Sequence, residues 1–290
     1  MSFLLIAAAL AAPPETRVTP TSLGTVAWLD ARERGEPEQT VAVFVHGLPT
    51  SKELWLDVLD AMPDQPAIAV DLLDFGESRA GDPEGLDHTL RAQALDELCE
   101  SLGLEQIILV AHDLGSSVAV DYMGAYGQRV ERLALMSSPV YPDFEEPGVV
   151  DLVRKRWLGL PLLRIAGRAM YRSTLRKGLH NKDRYTDRED AVFRRDYSGW
   201  KGKRRMWDNL SWGTPEVFFA DYPAIMKGIA VPTLVLHGAQ DPFIPLVHAH
   251  RLDADIPDSE LIIIEGAAHF IPLDVPLAVA EALTAFIGED

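Results

Sequence analysis

Val110-Ala111-His112-Asp113-Leu114-Gly115-Ser116-Ser117 stands where an apolar run that reads as a buried strand, Ile107 to Ala111, gives way abruptly to a helix-patterned run, Gly115 to Tyr126. A strand that turns at once into a helix, with small residues two positions before and after the apex, lifts one side chain clear of the end of a sheet. That apex is Asp113. Ala111 and Gly115 are small because strand and helix pass close to each other around such a turn, and aspartate tolerates positive φ better than most residues. The plainer alternative is an aspartate that caps the following helix. The flanking sequence has to decide between them.

Upstream, Val41 to Val45 runs into His46-Gly47-Leu48-Pro49; downstream, two apolar runs end in His237-Gly238-Ala239-Gln240-Asp241-Pro242 and Gly266-Ala267-Ala268-His269-Phe270. Each motif taken singly has an ordinary reading: a turn before proline, turn chemistry at Asp241-Pro242, a loop histidine, a satisfied structural His46. Four elements in the order loop, nucleophile, acid, histidine, each at the C-terminal end of a strand, point instead to one site. Backbone N–H groups of Leu48 and Leu114 are its expected oxyanion donors.

The same alternation organises the rest of the chain. Val/Ile/Leu runs at Val41 to Val45, Ala67 to Val70, Ile107 to Ala111, Leu133 to Ser137, Thr233 to His237 and Leu261 to Ile264 alternate with helix-patterned stretches from 52 to 61, 90 to 102 and 115 to 126, and a terminal helix follows from about 275 to 287. This predicts a mostly parallel sheet flanked by helices. Strand runs vanish between about 141 and 228, so the expectation is a core domain of residues 1–140 and 229–290 carrying a helical cap of residues 141–228.

The chain has 290 residues, 47% of them hydrophobic and 24% charged, which fits a globular protein and excludes collagen, coiled coil and polytopic membrane protein. Its net charge of −17 makes nucleic acid and membranes poor partners and leaves a small molecule as the expected one. That charge is unevenly spread: Arg154 to Arg205 alone carries +12. Either a basic lid rests on an acidic body, or the lid attracts anionic substrates. The single cysteine, Cys99, reads as a buried thiol in a reducing, cytoplasmic compartment. Phe3 to Ala12 is apolar but too short to span a bilayer and lacks a positive start, so it reads as a short docked helix, with a signal peptide as the lesser reading. Oligomeric state is left open.

These residues carry a resemblance. From about Gly24 to Ile287 the chain resembles the α/β-hydrolase superfamily, and His46-Gly47-Leu48-Pro49 with His112-Asp113-Leu114-Gly115 is similar to the HGxP and HDxG motifs of epoxide hydrolases and haloalkane dehalogenases. Asp71 to Ser78 is similar to the loop those families carry after the fourth strand. Gly76-Glu77-Ser78-Arg79-Ala80 imitates a serine elbow, but no helix pattern follows it, so Ser78 is rejected.

Aspartate in place of serine has a chemical meaning. A carboxylate that attacks a saturated carbon forms an alkyl ester that water can reopen, whereas serine would form an inert ether. Asp113 is therefore the expected nucleophile toward C–O or C–halogen bonds, His269 the base for the attacking water and Asp241 its orienting acid. No cofactor is implied, and metal-ligand spacing is absent.

The resemblance also separates substrates. Dehalogenases cradle halide with a tryptophan after the nucleophile and an asparagine in HGxP or another cap tryptophan; here Leu114 and Leu48 stand there, leaving Trp207 or Trp212 as weak substitutes. Fluoroacetate dehalogenases carry arginine after the nucleophile. Epoxide hydrolases polarise the ring oxygen with cap tyrosines, for which Tyr141, Tyr171, Tyr185, Tyr197 and Tyr222 are available, with His180 as a further donor. Where the second such tyrosine usually falls, Leu210, Ser211 and Trp212 stand. The expected function is epoxide hydrolysis to a diol, with haloalkane dehalogenation and a non-catalytic ligand-binding role as alternatives. Expected substrate contacts are His46, Pro49, Trp207, Trp212 and Tyr141.

Overall fold

Long apolar runs bounded by turn residues become the inner strands of one twisted sheet, as burial on both faces requires. The structure, a computed structural model, describes residues 14–288 except Pro37, Glu84, Pro147 and Trp212. The apolar run from Phe3 to Ala12 lies outside these residues. Strands β1 (Glu15–Thr21), β2 (Gly24–Ala31), β3 (Val41–Val45), β4 (Ala67–Val70), the two-residue β5 (Arg79–Ala80), β6 (Ile107–His112), β7 (Val130–Met136), β8 (Thr233–Gly238) and β9 (Ser259–Ile264) form it. Their order is β1-β2-β4-β3-β6-β7-β8-β9, with β5 beside β2. From β4 onward all pairings are parallel, and β1, β2 and β5 pair antiparallel at one edge. All six predicted strands are present.

The β1–β2 hairpin had no place among them. Five of the seven β1 residues are exposed, so this edge strand shows no apolar run to betray it.

Strand order reverses beside β3, which lies between β4 and β6, and such a switch opens a crevice at the strands' carboxyl ends. Register places the ends together: Val45 pairs with Ala111, Ala111 with Leu135 and Met136 with Leu236. The loops after β3, β6, β7 and β8 therefore meet over one edge. Helices α1 (Leu56–Ala61) and α12 (Pro276–Ile287) pack together, as do α2 (His88–Ser101) and α3 (Leu114–Tyr126). Cys99 on α2 is buried, and burial pushes its thiol up to about 12, which suits an inert core residue.

Between β7 and β8 the described residues hold only helices and turns: α4 (Gly148–Arg154), α5 (Arg156–Lys177), α6 (Asp187–Arg194), α7 (Gly199–Leu210), α8 (Pro215–Phe218) and α9 (Tyr222–Lys227). Its basic side chains reach the acidic body. Arg195 lies 3.3 Å from Glu53 and 3.8 Å from Glu77, and Arg184 pairs with Asp57. Glu53 and Glu77 in turn bind the buried Lys52 ammonium at 3.2 and 2.7 Å, beside Asp71 at 2.9 Å. Part of the charge asymmetry is thus spent on holding the insertion down. Among the described residues no helix is long and apolar enough to cross a membrane.

Candidate active site

The turn between β6 and α3 is built around one strained residue. Asp113 has φ 53° and ψ −122°, and its N–H donates to the Met136 carbonyl at 3.0 Å. Its side chain does not cap α3, so the helix-cap alternative fails. Close approach of the loop after β3 makes the flanking glycines obligatory. A Cβ on Gly115 would lie 2.6 Å from the carbonyl oxygens of Val45 and His46, and one on Gly47 only 2.4 Å from Asp113 Cβ and Oδ1.

That approach brings a donor to the carboxylate. The Leu48 N–H donates to Asp113 Oδ1 at 2.7 Å, and the Leu114 amide also stabilises the charge. The other oxygen, Oδ2, lies 3.3 Å from His269 Nε2. His269 Nδ1 donates to Asp241 Oδ2 at 2.9 Å, while Asp241 Oδ1 accepts from the amides of Phe243 and Ile244 at 2.8 and 3.0 Å. Asp113, His269 and Asp241, 156 positions apart at the extremes, thus form one connected chain.

Their ionisation follows from this packing. Burial opposes charge on His269, but the Asp241 charge and hydrogen bonds to Asp113 and Asp241 outweigh it and raise the imidazole to about 10. Burial would raise both carboxyls, yet His269 holds Asp113 and Asp241 below their ordinary values. At neutral pH the resting arrangement is an imidazolium between two carboxylates. His269 is also fixed from behind, since His112 Nε2 donates to its carbonyl at 2.9 Å.

Residues 41–276 match the alpha/beta hydrolase fold family. The chain belongs to that family. A relative, the non-heme chloroperoxidase CPO-A1 of Kitasatospora aureofaciens, is 28% identical over 247 residues, 80% of this chain and 85% of the relative. Among solved structures similar to this one, Cfl2 of Burkholderia cenocepacia has a TM-score of 0.82 at 21% identity, over 95% of this chain and 96% of that one. The haloalkane dehalogenase DbeA of Bradyrhizobium elkani has a TM-score of 0.81 at 19% identity, over 94% and 98%. At these identities the structural likenesses establish the fold.

In this α/β-hydrolase, Asp113 and His269 open into a cavity of about 200 Å³ between the strand ends and the insertion. Its wall is mainly apolar: Leu48, Leu114 and Phe243 on the core side face Leu163, Met206 and Leu210 of the insertion. Of the five tyrosines considered, only Tyr171 lines it, with its hydroxyl donating to the Pro49 carbonyl at 3.1 Å. Pro49 lines it too.

Several expected contacts lie elsewhere. Tyr141 turns toward α10 (Leu246–Asp255), donates to Asp255 at 3.0 Å and carries the Arg251 guanidinium 3.8 Å above its ring. Trp207 is outside the cavity lining, and its indole N–H is engaged by the Val153 carbonyl at 2.8 Å. Trp212 lies outside the described residues. His46 is buried behind the loop: Nδ1 donates to the Gly47 carbonyl at 2.9 Å and Nε2 accepts from the Leu72 N–H at 3.2 Å. Burial presses its imidazole down to about 4, so it is a neutral structural residue. Tyr185 and Tyr222 are committed to Asp190 and to the Ser117 carbonyl, and His180 is exposed. Ser78 is likewise structural, accepting from the Ala27 N–H at 2.8 Å and donating to the Asp71 carbonyl at 2.7 Å.

Two residues of the site left no mark that sequence reasoning used. Asn209 lines the cavity and is held by Arg91 at 2.9 Å and the Asp74 carbonyl at 3.0 Å. Asp274 ties the His269 loop to the insertion, accepting from the amides of Ala268, His180 and Asn181 at 2.9, 2.6 and 2.9 Å. Neither sits in a local motif, because each acts across a long sequence separation.

Proposed function

We propose that this α/β-hydrolase opens epoxides to diols through an alkyl ester on Asp113. The supporting observation is the seat of the Asp113 carboxylate: Oδ1 on the Leu48 amide, Oδ2 beside His269, at the floor of an apolar cavity with the Tyr171 phenol on its wall. In the first step Oδ2 attacks a ring carbon, the C–O bond breaks, and the alkoxide takes the proton that Tyr171 otherwise donates to the Pro49 carbonyl, an exchange of one acceptor for a stronger one. Tyr171 is reprotonated at the expense of His269, whose hold on its proton weakens once Asp113 loses its charge. In the second step neutral His269 takes a proton from water as that water attacks the ester carbonyl carbon. The oxyanion develops on Oδ1, already at the Leu48 and Leu114 amides, so little reorganisation is needed. Collapse expels the second diol oxygen with a proton from the new carboxyl, restoring the Asp113–His269 ion pair.

Alkyl halides fit less well. A halide ion needs donors: Leu48 and Leu114 carry no side-chain N–H, the Trp207 indole is engaged by Val153, and the Asn209 and Arg154 side chains that line the cavity are held by Asp74 and Glu146. Parallel assays of diol formation from terminal or aryl epoxides and halide release from 1-bromoalkanes test the reading. Diol formation should dominate. Halide release without diol would overturn it, and neither activity would leave the binding-scaffold alternative.

A further inference from the structure

A second cavity, of about 230 Å³, lies between α5, the turn after α6, and α7, and shares Leu163, Tyr171 and Met206 with the first. Its walls differ in kind. Arg168, Arg194 and Lys203 line it, together with Ser198 and Gly199 at the start of α7. Among the described side chains, the carboxylate paired with these cations is Asp190, which is buried and lies 3.4 Å from Arg168, 3.5 Å from Arg172 and 3.3 Å from Arg194, while accepting from Tyr185 at 2.8 Å. Three guanidiniums share that one carboxylate. The Lys203 ammonium donates to a neutral partner, the Arg164 carbonyl, at 2.9 Å. Among the described side chains, positive charge is thus in surplus at the second cavity, while Asp113 lines the first.

We propose that this second cavity is a carboxylate subsite, which holds the anionic end of a substrate whose reacting carbon lies at Asp113. The substrate class is an epoxide joined through a short apolar chain to a carboxylate. A planar carboxylate matches guanidinium donors, and the apolar link suits the shared wall of Leu163 and Met206. Tyr171, which lines both cavities, would stand beside the epoxide end, where the chain leaves the first cavity for the second. The assignment of the reacting end rests on the epoxide reading above; the carboxylate subsite itself does not.

Calorimetry with hexanoate, an unreactive carboxylate, tests the subsite without turnover. Hexanoate should bind saturably at low ionic strength and hexanol should not. Lys203→Gln combined with Arg194→Gln should weaken hexanoate at least about tenfold, the loss of one charge-assisted contact. Asp190→Asn, which removes the competing carboxylate, should tighten it, a gain that damage to the fold would not produce. In kinetics, kcat/KM for an epoxy acid should exceed that for its methyl ester, and the double substitution should reduce this preference by a similar factor. Hexanoate binding no tighter than hexanol, or binding and preference unmoved by the substitutions, would overturn the subsite. If hexanoate binds as described but no epoxide opens, the epoxide reading fails and the subsite stands.

Discussion

The imidazolium between two carboxylates has a measurable consequence for stability. His269 ordinarily titrates near 6.5 and is raised to about 10 in the folded site. A group raised on folding contributes stability that is fully present below its unfolded value and is lost as pH climbs through its folded value. At pH 7 the 3-unit gap to the folded value corresponds to roughly 4 kcal/mol, and by pH 9.5 about 1 kcal/mol is left. The wild-type protein should therefore lose on the order of 3 kcal/mol between these pH values, a fall of roughly 5 °C in Tm for a chain of this size. The lowered carboxyls of Asp113 and Asp241 report the same interactions and add nothing separate. Melting curves of wild type and His269→Gln, recorded at several pH values, isolate the effect, because every other titrating group is common to both. The variant should be less stable at pH 7 but should lose less between pH 7 and 9.5. Asp113→Asn, which removes one carboxylate as alkylation does, should lower the His269 titration measured by NMR. Parallel pH slopes for wild type and His269→Gln, or a His269 resonance titrating near 6.5, would refute the charge assignment.

Three further outcomes follow from the geometry. Gly47→Ala places a Cβ 2.4 Å from Asp113 Oδ1, so turnover should fall about 10²-fold as the carboxylate is displaced, with about 1–3 kcal/mol of stability lost. If its phenol supplies the proton to the opening ring, Tyr171→Phe should reduce epoxide kcat by about 10² or more while changing KM little. Trp207→Phe should cost about 1 kcal/mol through the orphaned Val153 carbonyl and leave turnover unchanged in a standard rate assay, because the indole N–H is engaged away from the cavity.

The site's core was legible from local sequence because each of its members terminates an apolar strand. Val110 to Gly115, Val45 to Pro49, His237 to Asp241 and Gly266 to Phe270 all pair an unmistakable strand end with a small residue, and parallel register then brings the four ends together. Cavity-facing groups on the insertion carry no such mark. Tyr141, Tyr185 and Tyr222 are as apolar-patterned as Tyr171, and only packing tells which hydroxyl meets Asp255, Asp190, a main-chain carbonyl or the cavity. His46 misled for a related reason: its position beside Gly47 is required, but by the Leu72 amide behind the loop. The same limit hid β1, whose role as an exposed edge strand is set by its partner β2.

The account turns on a covalent bond to Asp113, and mass spectrometry of His269→Gln can look for it directly. With the base for the second step removed, incubation with a reactive epoxide should leave the substrate's mass on the peptide containing Asp113. General-base assistance is typically worth about 10² to 10⁴ in rate, enough for the ester to accumulate. Asp113→Ala should show neither the adduct nor turnover. In heavy-oxygen water, a single turnover of wild type should place the solvent label in the Asp113 carboxyl and leave the first diol unlabelled. Label found directly in that first diol, with no mass ever found on Asp113, would mean that water attacks the substrate itself and that the covalent account is wrong.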